Sequence, residues 1–428
     1  MPPISLTDAK SADLFARARR VLPGGVNSPV RAMRSIDRDP LFVERASGVD
    51  LIDVDGNRFI DWIGSWGPLI HGHAHPRILA AIHAAADAGT TFGAPTAGEV
   101  DLAEEIVRRI PSVEMVRMTS SGTEASMSAI RVARAATGRD VIVKFAGAYH
   151  GHIDGLLADA GSGLATQGIP ASAGVLESAT KATVVVPWND VDAVEQALRA
   201  HDVAAVIAEP YPANMGLVPP QDGVLQRLRE LTEEHGALLI FDEVISGFRV
   251  APGGAQELTN VTPDLTVMGK IIGGGLPAAA FGGSRDLMER LAPVGDVYQA
   301  GTLSGNPLAV AAGLETLRML DDEAYLRLKE TTDALATGLR DAARDRPVQV
   351  VSVTGLVTVF FSETPVTNYE QAKAADTAAY GRWCRGLLAR GIYPPPSQFE
   401  ALFVSLAHEP EHVAQTVEAA AAAFEDVW

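Results

Sequence analysis

Seven short apolar runs, separated by helix-length segments, constrain the fold of this chain more than any other feature. They are Met115–Met118, Val141–Phe145, Thr183–Val186, Ala204–Ala208, Leu238–Phe241, Leu265–Met268 and Ala279–Phe281. Runs without polar alternation belong to strands buried on both faces, since a strand with one wet face alternates polar with apolar residues. The segments between them leave room for crossover helices. The expectation is an α/β domain with a mainly parallel, seven-stranded sheet.

The flanks read differently. An amphipathic segment, Ser11 to Val21, leads into the turn-rich Pro23-Gly24-Gly25-Val26-Asn27-Ser28-Pro29. Asp55-Gly56 between two β-rich runs predicts a hairpin, and Thr96-Ala97-Gly98-Glu99 predicts a capping box that opens a helix to about Arg109. Beyond Asp322 two long helical stretches, Tyr325–Ala343 and Tyr369–Arg390, surround short strands such as Val357–Phe361, and an alanine-rich helix ends the sequence. The expected division is therefore an N-terminal segment (1–70) belonging to a small domain, a large α/β domain (71–321), and a C-terminal small α+β domain (322–428). The glycine- and serine-rich Gly161–Gly174 stretch is long for a loop in a compact domain, which is common in lids.

Composition removes several function classes. The formal net charge of -18 repels phosphate backbones and anionic lipid, so neither a nucleic acid nor a membrane is an expected partner. No run approaches the roughly 20 apolar residues of a membrane span. The N-terminus lacks the basic-then-apolar pattern of a signal peptide, so a cytoplasmic location is expected. The single cysteine, Cys384, excludes an intrachain disulfide and a cysteine metal cluster.

Four motifs carry chemistry. Lys270 ends an apolar strand and precedes Gly273-Gly274-Gly275. The plainer reading is a surface lysine beside a flexible turn. The alternative is a Schiff-base lysine whose apolar surroundings lower its pKa, with glycines that let backbone pass close to a flat cofactor. Asp242 ends the preceding strand. Open parallel sheets hold ligands at the carboxyl ends of their strands, and an acid there suits the pyridine nitrogen of pyridoxal 5'-phosphate. Ser121-Gly122-Thr123 stands between a strand and a helix, where free N–H groups and hydroxyls form a phosphate cup. Tyr149-His150 follows Val141–Phe145. Its histidines lack metal-ligand spacing, and Tyr149 is an aromatic placed to stack on a cofactor ring.

With these residues in hand the chain resembles the class III aminotransferases among fold-type I pyridoxal-phosphate enzymes. Further blocks bring it near the aminomutase branch of that family: Pro23–Ala32, Gly64-Ser65-Trp66-Gly67-Pro68, Phe92-Gly93-Ala94-Pro95-Thr96, Asn214-Met215-Gly216, Tyr298–Pro307 and Ser397-Gln398-Phe399-Glu400. Ser120 stands where the family usually has asparagine. The resemblance implies pyridoxal and pyridoxamine 5'-phosphate as cofactor forms, Lys270 as the proton-shuttling lysine, Asp242 on the ring nitrogen and Tyr149 on the ring face. It implies Ser121, Gly122 and Thr123 around the phosphate, with His150, Glu209, Asn214 and Val244 lining the cofactor cavity. Ser28, Arg31, Trp66, Ser162 and Glu400 would line the substrate pocket, Arg31 matching a carboxylate with its fork. Thr302 would reach the phosphate of a neighbouring subunit, which implies a homodimer with shared active sites. The implied reaction converts glutamate-1-semialdehyde to 5-aminolevulinate, with a reductase supplying the unstable aldehyde. The alternative is an ω-aminotransferase that uses a separate amino donor and oxo acid.

Overall fold

The computed structural model describes residues 6–158 and 172–428. After a first helix, Ala9–Ala18, three strands, β1 (Val43–Ser47), β2 (Asp50–Asp53) and β3 (Arg58–Asp61), form an antiparallel ladder. The predicted hairpin joins β2 to β3. Its turn is held by Asp53, whose Oδ1 accepts from the Asp55 N–H at 3.0 Å and the Asn57 N–H at 2.8 Å. Gly56 supplies the positive φ, +87°, that this turn requires.

All seven apolar runs are strands of one sheet: β4 (Met115–Thr119), β5 (Val141–Phe145), β6 (Thr183–Val186), β7 (Val203–Ala208), β8 (Leu238–Asp242), β9 (Leu265–Met268) and β10 (Ala279–Gly283). Their order is β4-β10-β9-β8-β7-β5-β6. The five strands from β9 to β6 run parallel, whereas β10 is antiparallel to both of its neighbours. The reason is length. Between β9 and β10 the chain holds only a 3-10 turn, Lys270–Gly273, too short for the crossover that a parallel neighbour needs. The predicted capping box opens the helix Ala97–Arg109, with the Thr96 N–H donating to Glu99 Oε1 at 2.8 Å.

The C-terminal part contains the helix Asp322–Ala342, a three-stranded sheet of β11 (Gln349–Val353), β12 (Leu356–Phe360) and β14 (Leu402–Phe403), and the closing helix Pro410–Glu425. The second long helix expected there is broken into Tyr369–Ala374 and Thr377–Leu388. Asp376 breaks it. Its N–H donates to Phe361 O at 2.8 Å, while its carboxylate accepts from the Ala379 N–H as a fresh N-cap. The short strand β13 (Ile392–Tyr393) pairs in parallel with β3, so N- and C-terminal segments share a sheet. One buried cluster runs from Trp62 and Phe59 through Met118 and Met268 to Trp383 and Phe424. It joins the N-terminal strands and one face of the sheet to the C-terminal helices, while further buried clusters pack other parts of the sheet.

The turn after Lys270 packs tightly against a later helix. A Cβ on Gly274 would sit 2.5 Å from Ala312 O, and one on Gly313 would sit 1.8 Å from Ile272 O. Gly274 and Gly313 let the turn after Lys270 press onto the helix Pro307–Arg318. Gly313→Ala should therefore destabilise the protein. Overpacking against a fixed carbonyl costs about 1–3 kcal/mol, which outweighs a helix-propensity gain of about 1 kcal/mol. Urea unfolding of the variant should show a lower midpoint, and an unchanged midpoint would mean that this contact yields freely.

Candidate active site

The parallel register pairs Asp242 with Val267 and brings the ends of β8 and β9 together. Asp242 and Lys270 consequently line one cavity of about 240 Å³ with Gly122, Thr123, Tyr149, His150, Glu209, Asn214 and Val244. Those nine residues, scattered over more than a hundred positions of sequence, are all among the expected cofactor contacts.

Each wall is held by identifiable forces. Asp242 is buried, and its Oδ2 lies 2.7 Å from His150 Nδ1 while Oδ1 accepts from the Val244 N–H at 3.1 Å. Tyr149 is positioned through its backbone, since its N–H donates to Glu209 Oε1 at 2.9 Å. Glu209 Oε2 also accepts from Asn214 Nδ2 at 2.9 Å. Burial pushes the Glu209 carboxyl up from its ordinary value, opposed by the nearby His150 and by its two backbone donors. Burial, with the Asp242 carboxylate beside it, likewise raises the Tyr149 phenol. Across the cavity Gly122 and Thr123 open the helix Gly122–Thr137, whose first N–H groups have no intrahelical acceptor.

Lys270 sits at φ +50°, a left-handed conformation that costs a non-glycine residue roughly 1–3 kcal/mol and persists only where its surroundings impose it. Burial pushes its ammonium below the ordinary lysine range. The carboxylates of Glu400, Glu209 and Asp242 oppose that shift, and Arg249 reinforces it. The free-amine form is thus more accessible than in an ordinary lysine.

The expected substrate residues are less gathered. Glu400 belongs to the site, as the leading carboxylate acting on Lys270. Trp66 is half-buried at φ +69°, next to Gly67, where a Cβ would lie 3.2 Å from Lys270 Cδ. Ser28 and Arg31 do not line the cavity around Lys270. Ser28 precedes and Arg31 lies in the 3-10 turn Pro29–Ala32, with Arg31 exposed. Ser121 is also outside that lining, and its hydroxyl instead caps its own helix by accepting from the Glu124 N–H at 3.3 Å. Thr302 is exposed and lines a separate cavity of about 320 Å³ with Phe92–Thr96. Ser162 and most of the expected lid lie outside the described residues.

Three contributors escaped sequence reasoning. Ser126 lines the cavity with a buried hydroxyl that has no partner among the described residues. Its position three residues after Thr123 on one helix face was the available signal. Lys144, fully buried in β5, donates to the carbonyls of Ala148, Leu156 and Ala158 at 3.1, 3.0 and 2.8 Å, fixing the loop that carries Tyr149 and His150. Arg249 left no local signal.

These residues fit pyridoxal phosphate. There is an acid for its ring nitrogen, an amine for its aldehyde, a helix start for its phosphate and an aromatic wall. His150 Nε2 and Ser126 Oγ are buried polar atoms without partners among the described residues. Gly151 lets the wall approach the phosphate end, at φ +87°, where a Cβ would sit 2.6 Å from Thr123 Cα. Gly151→Ala should therefore weaken retention of pyridoxal phosphate by about tenfold, equivalent to about 1.4 kcal/mol. Titration by visible absorption reads this, and unchanged affinity would detach that loop from the phosphate end.

Comparison with known proteins agrees with this geometry. The family described as Aminotransferase class-III matches residues 33–420. Glutamate-1-semialdehyde 2,1-aminomutase 2 of Brevibacillus brevis is 56% identical over 415 residues, which cover 96% of this chain and 97% of that one. Among solved structures, an omega-transaminase from Sphaerobacter thermophilus superposes with TM-score 0.90 at 38% identity, over 97% of each chain. A glutamate-1-semialdehyde-aminomutase from Pseudomonas aeruginosa PAO1 superposes with TM-score 0.87 at 29% identity, over 98% of this chain and 95% of that one. A variant of the latter was solved with PMP. The chain belongs to the class III aminotransferase family.

Proposed function

We propose that the chain is a glutamate-1-semialdehyde 2,1-aminomutase, which exchanges the amino and oxo groups on adjacent carbons of (S)-4-amino-5-oxopentanoate to give 5-aminolevulinate for tetrapyrrole synthesis. The observation that carries this reading is the convergence of Lys270, Asp242 and the Gly122–Thr123 helix start on one cavity, in a chain 56% identical to an aminomutase over nearly its full length.

When bound, pyridoxamine or pyridoxal phosphate supplies an electron sink and the exchangeable amine. The chain does the rest. Buried Asp242 keeps a proton on the facing ring nitrogen, and His150 holds Asp242 in place. Gly122 and Thr123, with the backbone at Ser121, would hold the phosphate, while Tyr149 and Val244 would wall the ring. Glu209 and Asn214 fix that wall. Lys270 Nζ, as a free amine, would move protons between the reacting carbons of the substrate and of the cofactor. Trp66 and Glu400 flank Lys270 on the substrate side, and Ser28 and Arg31, which lie outside the Lys270 cavity, would complete that end, with Arg31 pairing a substrate carboxylate.

Thr302 does not reach the Lys270 cavity of its own chain, which suits a residue that serves a neighbouring subunit. A homodimer is supported by the exposed Phe92, Val100, Leu303 and Tyr298. Beside them β4, an edge strand of the sheet, and the helix Ala97–Arg109 form an apolar cleft of about 690 Å³, a face that a second copy would cover. The proposed location is the cytoplasm, and a reductase that makes the amino aldehyde is the proposed supplier.

The likeness to an omega-transaminase keeps a second reading in view, an aminotransferase that needs a separate donor. Dialysed protein given glutamate-1-semialdehyde alone should form 5-aminolevulinate over many turnovers. Product appearing only after an amino donor is added would establish the transaminase instead. Lys270→Ala should slow turnover by roughly 100- to 10,000-fold, the usual contribution of a positioned general base, with the fold retained. Turnover surviving that change would move the proton transfer to another group.

A further inference from the structure

Arg249 is 1% exposed. Its Nη1 donates to Val404 O at 3.1 Å and to Gly355 O at 3.4 Å, and its Nη2 donates to Gly67 O. The guanidinium lies 5.1 Å from the centroid of the Phe403 ring. Among the described residues no carboxylate pairs with it, so a buried cation is solvated only by carbonyl dipoles and an aromatic face. Such a charge is expensive to keep. Burial pushes the arginine down to about 9, which leaves it cationic at neutral pH.

Its surroundings point at Lys270. The carbonyl it grips belongs to Gly67, where a Cβ would meet the Phe403 ring at 2.8 Å and Lys270 Cδ at 3.2 Å. Arg249 thus ties the Gly64–Pro68 block and the ends of β12 and β14 into one wall behind the lysine. Like charges in a low-dielectric setting disfavour each other's protonated forms.

We propose that Arg249 is a positioning residue that keeps Lys270 a neutral amine, repelling its ammonium form while pinning Gly67 and Phe403 against its side chain. The inference rests on the aminomutase reading only in giving Lys270 a proton to move. The groups that face Lys270 are Glu400 from the C-terminal part, Glu209 and Asp242 from the sheet, and Arg249. Tyr149 lines the same cavity and Tyr325 faces Arg249, and both phenols are held neutral by burial. Of these charged groups, the three carboxylates favour the ammonium form and Arg249 opposes it.

The test uses full-length protein in its pyridoxamine phosphate form, where Lys270 carries a free amine. Pulse acetylation with acetic anhydride over a range of pH, read by mass spectrometry of the Lys270 peptide, gives that amine's titration midpoint. Arg249→Gln removes the charge yet can still donate to two of the carbonyls. It should raise the midpoint by about one pH unit, so that acetylation below the midpoint slows by about tenfold. Arg249→Lys, which restores a cation, should return the midpoint toward the wild type even if thermal stability falls. An unchanged midpoint in Arg249→Gln would reduce Arg249 to a structural clamp, as would the same upward shift in Arg249→Lys. Formation of 5-aminolevulinate by the wild-type sample reports separately on the function itself, so either idea can fail alone.

Discussion

The parallel pairing of β8 with β9 sets Asp242 opposite Val267, and the Glu243 N–H extends the ladder to Val267 O at 2.8 Å. Everything chemical in the molecule depends on that register. A slip of one residue would turn the Asp242 carboxylate to the other face of the sheet, away from His150 and the cavity, while Lys270 stayed behind. The register is fixed from both sides. Glu243, the next residue, is buried and accepts from the backbone of Ala255 and from the Gln256 side chain. Behind β9, the turn after Lys270 is wedged onto Gly313. The site is therefore rigid because its strands are buried, and those strands are legible for the same reason.

What could be read from the sequence was local or periodic. Apolar runs gave the strands, Asp55-Gly56 the hairpin, and Thr96 with Glu99 the cap, because each depends on residues within a few positions of one another. The Lys270, Asp242, Gly122 and Tyr149 motifs were legible because strand ends and helix starts in a parallel sheet converge without further information. What escaped depended on distant partners. Asp376 breaks a good helical pattern because Phe361 O lies ready for its N–H. Gly274 after Lys270 answers to Ala312 and Thr316 on a later helix, which no reading of Gly273–Gly275 alone could supply. Arg249 is invisible for the same reason, since its acceptors, Gly67, Gly355 and Val404, come from far apart in the chain.

The balance of charge around Lys270 follows from the same architecture. A pyridoxal-phosphate site needs acids, for the ring nitrogen and for the wall, and each buried acid within reach of the lysine favours its ammonium form. Left to Glu400, Glu209 and Asp242 alone, a lysine would be poorly suited to accept a proton from carbon. Burial is the largest influence and outweighs them, and by raising Glu209 it also weakens a carboxylate that would otherwise favour the ammonium form. A fixed cation behind the lysine acts in the same direction without drying the cavity that the substrate must enter. The chain places one there at the cost of burying it, and pins it by the Gly67 carbonyl that also shapes the lysine's wall. Geometry and protonation state at Lys270 are on this view set by one side chain, which is why the two cannot be separated by any substitution that removes both its charge and its hydrogen bonds.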